Sequence, residues 1–120
     1  MKEDLNILIK DKSDTGILRL VMNNSDQRNP LSESMMSALM NEIKEASSDK
    51  STRVIVLAAI GNVFSSGHDL KEITTARENQ DNGEDYFKNL FDYCSSLMQL
   101  IVNAPQPVIA EIDGVATAAG

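Results

Sequence analysis

Between Asn62 and Ile73 the sequence reads NVFSSGHDLKEI, and between Pro105 and Gly120 it reads PQPVIAEIDGVATAAG. Each stretch carries an apolar run into a turn of small residues, FSSGHD in the first and DGVATAAG in the second. Gly, Ala and Ser let a backbone approach another group closely. Two such turns can therefore aim two backbone N–H groups at one atom. An oxygen held between them is stabilised wherever negative charge develops on it, which is the electrostatic device of an oxyanion hole. The first turn also carries the chain's single histidine, His68, with Asp69 and Glu72 close behind. Nothing in the sequence supplies an evident partner to set the tautomer of the His68 ring, which argues against catalysis by the ring. Asp69 reads as the N-cap of a helix that begins at Leu70, and Glu72 as a solvated helix residue.

The remaining reactive side chains read more simply. Cys94 falls on the apolar face of a helix and is expected to be a buried structural thiol. Ser65 and Ser66 lack the G-x-S-x-G elbow of a nucleophilic serine. ATAAG has no P-loop lysine, which argues against cradling a nucleotide triphosphate.

The elements that must position these turns follow from periodicity. Leu5, Ile7 and Ile9 alternate with polar positions, Ser13 to Gly16 reads as a turn, and Ile17 to Met22 is a second extended run, together a β-hairpin. Ser32 is placed to cap a helix ending near Ser47, with Met35, Met36, Leu39, Met40 and Ile43 on one face. Val54 to Ile60 is continuously apolar, as expected of a strand buried on both faces. Thr74 to Glu84 has almost no large apolar side chain and reads as a mobile loop. Phe87, Leu90, Phe91, Cys94, Leu97, Met98 and Ile101 recur at helical spacing, Asn103 to Pro105 ends that helix, and Pro107 to Ile112 reads as another buried strand. Strands joined by helical crossovers point to an α/β fold with parallel strands.

The chain has 120 residues, a formal charge of -7 and scattered basic residues, which argues against nucleic acid as a partner. One cysteine excludes an internal disulfide, and no Cys/His spacing resembles a metal site. No apolar run approaches the roughly 20 residues needed to span a bilayer, so a soluble protein without a membrane partner is expected. Met1 to Asp4 carries two acids where a leader needs basic residues, which gives the expectation of a cytoplasmic protein.

FSSGHDLKEI and PQPVIAEIDGVATAAG, preceded by DQRNPLS, resemble the motifs of the enoyl-CoA hydratase/isomerase, or crotonase, family in order and spacing. SSGHDLKE with ATAAG looks most like the enoyl-CoA hydratase-domain-containing subgroup, where histidine stands at a position usually held by alanine. The resemblance covers the whole chain. It implies a crotonase-like ββα spiral fold of which residues 1–120 are the N-terminal part. It further implies that the N–H groups of His68 and Ala119 grip the thioester carbonyl of an acyl-CoA and stabilise its enolate. His68, Asp69, Leu70 and Lys71 would lie along the CoA and acyl chain, and Arg28, Pro30 and Leu31 would flank the adenine and pantetheine path. Coenzyme A would enter as part of the substrate, with no separate cofactor. The family's acid/base carboxylates fall after the second turn, so these 120 residues alone are expected to be inactive. The complete protein would perform lyase or isomerase chemistry as a homotrimer or hexamer, or serve as a non-catalytic acyl-CoA binder.

Overall fold

A computed structural model describes residues 6–120, so Leu5 and the four residues before it lie outside the described residues. Strands β1 (Leu8–Lys12) and β2 (Ile17–Met22) form the expected antiparallel hairpin, closed by a turn in which Gly16 takes a left-handed φ of 93°. A Cβ at Gly16 would meet the Ser51 carbonyl oxygen at 2.7 Å, so glycine also lets the hairpin turn touch the segment before β3 (Val54–Ala59). β3 pairs parallel to β2, and β5 (Val108–Ala110) pairs parallel to β3, giving the sheet order β1-β2-β3-β5.

Helix α1 (Glu33–Ser47) makes the crossover from β2 to β3 and begins where Ser32 Oγ accepts the Met35 N–H at 3.1 Å. Its Met35, Met36, Leu39, Met40 and Ile43 are buried against Leu18, Leu20 and Met22 of β2, Ile55 of β3, and Leu90 and Leu97 of α3 (Glu84–Asn103). The core thus sits on one face of the sheet, with the two helices above it. Side chains alternate across a strand, so Arg19, Val56 and Ile109, which share one register row, point to the opposite face. There Ile109 is 52 % exposed, and Arg19 pairs with Glu111 at 2.8 Å across the strands.

Three expectations need correction. β3 is buried only in part: Ile55 and Ala58, on opposite faces, are buried, while Val54, Val56, Leu57 and Ala59 are half-buried, since α1 and α3 pack against one face alone. The strand expected over Pro107–Ile112 is shorter, and Ile109 and Ile112 are exposed, since β5 is the edge of the sheet. The expected loop from Thr74 is partly helical: α2 (Leu70–Ala76) precedes consecutive turns in which Glu78, Asn79 and Asn82 donate to the carbonyls of Thr75, Ala76 and Asn79. Local hydrogen bonds order this stretch where apolar burial is scarce. The Asp81 carboxylate accepts from Gly83 and Asp85 N–H at 2.9 and 3.0 Å, which starts α3 and holds the Asp81 carboxyl below the usual carboxylate range. No helix among the described residues is long and apolar enough to cross a membrane.

Candidate functional site

Beyond the ends of β3 and β5 the chain forms a second, two-stranded sheet from β4 (Val63–Ser65) and β6 (Val115–Ala116), paired in parallel. Sequence periodicity does not reveal it, because strands of three and two residues are too short to show alternation. This small sheet carries the two glycine turns and sets them side by side. Val115 N–H donates to the Asn62 carbonyl at 3.3 Å, and Thr117 N–H to the Ser65 carbonyl at 3.1 Å. Gly67, at φ 93°, faces the second turn directly: a Cβ there would stand 2.8 Å from Ala118 Cβ and 3.3 Å from Ala119 N. The absent side chain at Gly67 therefore makes room for the other turn, and a ligand is not what it first accommodates.

The direction of the amides follows from peptide planarity. In a trans peptide the carbonyl of one residue and the N–H of the next point to opposite sides. The Gly67 carbonyl accepts the Leu31 N–H at 2.7 Å, so the His68 N–H points away from Leu31. In the second turn Gly120 N–H donates to Thr117 at 2.8 Å, with Ala118 held at a left-handed φ of 53°. That conformation costs an alanine about 1–2 kcal/mol, and such strain clusters at ligand-binding turns. Among the described residues neither His68 N–H nor Ala119 N–H has a hydrogen-bond acceptor. Two donors are thus left uncommitted where the turns adjoin.

A third segment, residues 24–31, locks the first turn from the other side. Arg28 and Asn29 both take left-handed φ values, 64° and 49°, and the Asn29 side chain is fully buried. Asn29 Oδ1 accepts the Asn24 N–H at 2.7 Å, while Nδ2 donates to the carbonyls of Ile60 at 3.0 Å and Val63 at 2.9 Å. Ser66 N–H donates to the Arg28 carbonyl at 3.1 Å, and Leu31 bridges His68 in parallel. Asn29 is the positioning residue that sequence reasoning missed. Its one signal in the sequence is an Asn before Pro, a dipeptide that favours a turn.

The candidate ligand residues divide by burial. Arg28, Leu70 and Lys71 are exposed, and Lys71 Nζ lies 3.4 Å from Gln27 Oε1. Pro30 and Leu31 are interior, where Leu31 packs in the core. Asp69 is committed to the N-cap of α2, accepting the Lys71 N–H at 2.8 Å. The His68 ring lies 6.3 Å from the Phe91 ring, and its Nδ1 is buried without a partner among the described residues. Ala119 is half-buried beside an apolar cavity of about 200 Å³ whose walls include Leu31, Phe64, Ser65, Leu97 and Gly120. A roomier cavity of about 600 Å³, bordered by Glu33, Tyr86, Asn89 and Tyr93, touches neither turn.

Glu72 departs from the solvated role expected of it. It is half-buried and accepts the Glu33 N–H at 3.1 Å; burial pushes its carboxyl up, partly offset by that bond. Burial, reinforced by Glu72 and Glu33, pushes the neighbouring Tyr86 phenol up to about 12. Cys94 is half-buried against the core, and burial raises its thiol, as expected of a structural residue.

Comparison with known proteins identifies the family and the fold. A family model described as enoyl-CoA hydratase/isomerase matches residues 12–120. Enoyl-CoA hydratase domain-containing protein 3, mitochondrial, from Xenopus laevis is 48 % identical over 88 % of this chain and 34 % of its own length. The human protein of that name is 43 % identical over 88 % of the chain and 33 % of its own length. The crystal structure of the human protein superposes with a TM-score of 0.83 at 40 % identity, over 94 % of this chain and 42 % of that one. An enoyl-CoA hydratase from Bacillus anthracis gives a TM-score of 0.84 at 29 % identity, over 95 % of this chain and 42 % of that one. The chain thus spans about a third of the length of these curated relatives. Their names place them in mitochondria, which overturns the cytoplasmic expectation drawn from Met1 to Asp4. Two acids in four residues report local charge, whereas an address is read from the basic, amphipathic character of a longer segment.

Proposed function

The chain belongs to the enoyl-CoA hydratase/isomerase family and carries part of its crotonase-like fold, and from that premise we propose that the complete polypeptide binds an acyl-CoA thioester and stabilises its enolate. The observation that carries this reading is the pair of uncommitted amides, His68 N–H and Ala119 N–H, on turns held in contact by Gly67. Donors fixed before the reaction stabilise an oxyanion without reorganising as charge develops, which is where such sites gain most of their effect. Arg28 and Lys71 are both exposed, Lys71 lying against Gln27 next to Arg28, and would be cations for CoA phosphates, while the His68 to Lys71 segment would follow the thioester.

Proton transfer needs a further group. Asp69 is spent on the α2 cap and Glu72 on Glu33 N–H, so neither is a free base at the turns. Hydratase-type lyase or isomerase chemistry would draw its acid and base from residues beyond the second turn, in an assembly of homotrimer or hexamer type. The same commitment of Asp69 and Glu72 favours a second reading, a non-catalytic acyl-CoA binder. Calorimetric titration of the complete polypeptide with a short acyl-CoA tests binding, and absence of saturation at millimolar ligand would end the proposal. Loss of enoyl-CoA absorbance on addition of the protein separates enzyme from binder, and sedimentation velocity reads the assembly.

A further inference from the structure

Ser65 was set aside as a nucleophile, yet it touches both turns. The side chain is 1 % exposed. Its Oγ accepts the Gly67 N–H at 3.2 Å, its carbonyl accepts the Thr117 N–H at 3.1 Å, and it pairs with Ala116 in the small sheet. A Cβ built on Gly120 would stand 2.6 Å from Ser65 Oγ, so the second turn rests directly on this hydroxyl. Among the residues lining the apolar cavity beneath the turns, Ser65 has the one polar side chain.

The placement acts on the most pliable point of the site. Glycine has the widest backbone freedom of any residue, and Gly67 immediately precedes the His68 amide. Both peptide groups of Gly67 are pinned: Ser65 Oγ holds its N–H, and Leu31 N–H holds its carbonyl. The peptide that carries His68 N–H is thereby fixed in direction. Because apolar groups line the cavity, little water competes for the Ser65 bond, and a hydrogen bond is stronger in such surroundings. A hydroxyl that accepts from the amide two residues on is an ordinary turn device; here it also supports the other donor-bearing turn.

We propose that Ser65 is the positioning residue of the paired turns, its hydroxyl fixing the direction of His68 N–H through Gly67 while supporting the turn that carries Ala119. The inference rests on the oxyanion reading above. It predicts a selective effect, since loss of alignment weakens the grip on a thioester carbonyl and leaves contacts to the rest of CoA intact.

The test compares wild type, Ser65→Ala and Ser65→Cys in the complete polypeptide, with CoA and butyryl-CoA as calorimetric probes and hydrogen exchange read over the segment containing Gly67. Ser65→Ala is expected to speed exchange at Gly67, leave CoA affinity within about twofold, and weaken butyryl-CoA about five- to tenfold, the worth of one buried hydrogen bond. Ser65→Cys keeps a weak acceptor of similar size and should fall between, which keeps the comparison decisive if the alanine variant misfolds. Equal losses for CoA and butyryl-CoA would assign Ser65 to general folding and overturn the proposal. So would wild-type butyryl-CoA affinity in both variants. A wild type that binds CoA and butyryl-CoA equally would overturn the oxyanion reading and this inference with it.

Discussion

At the scale of single residues, the junction of the turns depends on side chains that are missing and on one that is buried. Gly67 has no room for a Cβ, which would lie 2.8 Å from Ala118, and its φ of 93° disfavours any other residue. Gly67→Ala is therefore expected to push the turns apart and cost about 2–4 kcal/mol from backbone strain and overpacking. It should also weaken acyl-CoA binding, whereas His68→Ala, which keeps the backbone amide, should weaken it far less. Calorimetry on both variants checks this, and a larger loss for His68→Ala would transfer the role to the ring. Asn29→Ala would strand Asn24 N–H and the carbonyls of Ile60 and Val63, all partners of a fully buried amide. Each unsatisfied group costs about 1–3 kcal/mol, so urea unfolding should show a loss of at least about 3 kcal/mol. The two small-residue turns were legible from residue types, whereas His68 and Ala119 were singled out within them only by the family resemblance. Asn29 was not legible, because its value lies in three partners at sequence separations from 5 to 34.

The helices, at the scale of elements, follow their local signals closely. Ser32 caps α1 as its position before an amphipathic run predicts, and Ser32→Ala should destabilise the fold by about 1 kcal/mol in chemical denaturation. α2 and its following turns were harder to read, because Asp81 and a ladder of local carbonyl bonds order a polar segment that apolar periodicity treats as loop. Glu72 on α2 adds a pH dependence. Burial raises its folded carboxyl above the ordinary 4.5, so the folded state binds the proton more tightly than the unfolded one. The resulting stability is fully present below that ordinary value and is lost as pH rises through the raised folded value. Glu72→Gln retains an acceptor for Glu33 N–H and removes the titration. Its melting temperature should decline less than that of wild type as pH is raised from about 4 to 7, and parallel profiles would show that Glu72 titrates normally.

The whole molecule presents an uneven surface. One face of the main sheet meets α1 and α3, while Ile109, Ile112 and Val115, and Val102 at the end of α3, are more than half exposed. Parallel sheets are normally covered on both faces, and exposed edges and apolar patches drive association. A preparation of residues 1–120 alone is thus expected to self-associate as concentration rises, despite a charge of -7 whose reach is about 8 Å at physiological salt. Static light scattering from micromolar to millimolar protein decides it, and a monomer throughout would show that this surface is tolerated in water.

Sequence by itself determined what depends on near neighbours along the chain: the hairpin, the Ser32 and Asp69 caps, the amphipathic faces of α1 and α3, and the small-residue turns that resemble a known family. Such features arise from periodicity and from side chains reaching two to four positions away. Only the tertiary structure decided that β4 and β6 pair across about fifty residues, that the space at Gly67 is taken up by Ala118, that Asn29 ties three segments together, and that α1 and α3 pack on the same face of the main sheet. Those outcomes depend on which distant backbone groups satisfy one another once buried, and no local pattern of residues encodes that choice.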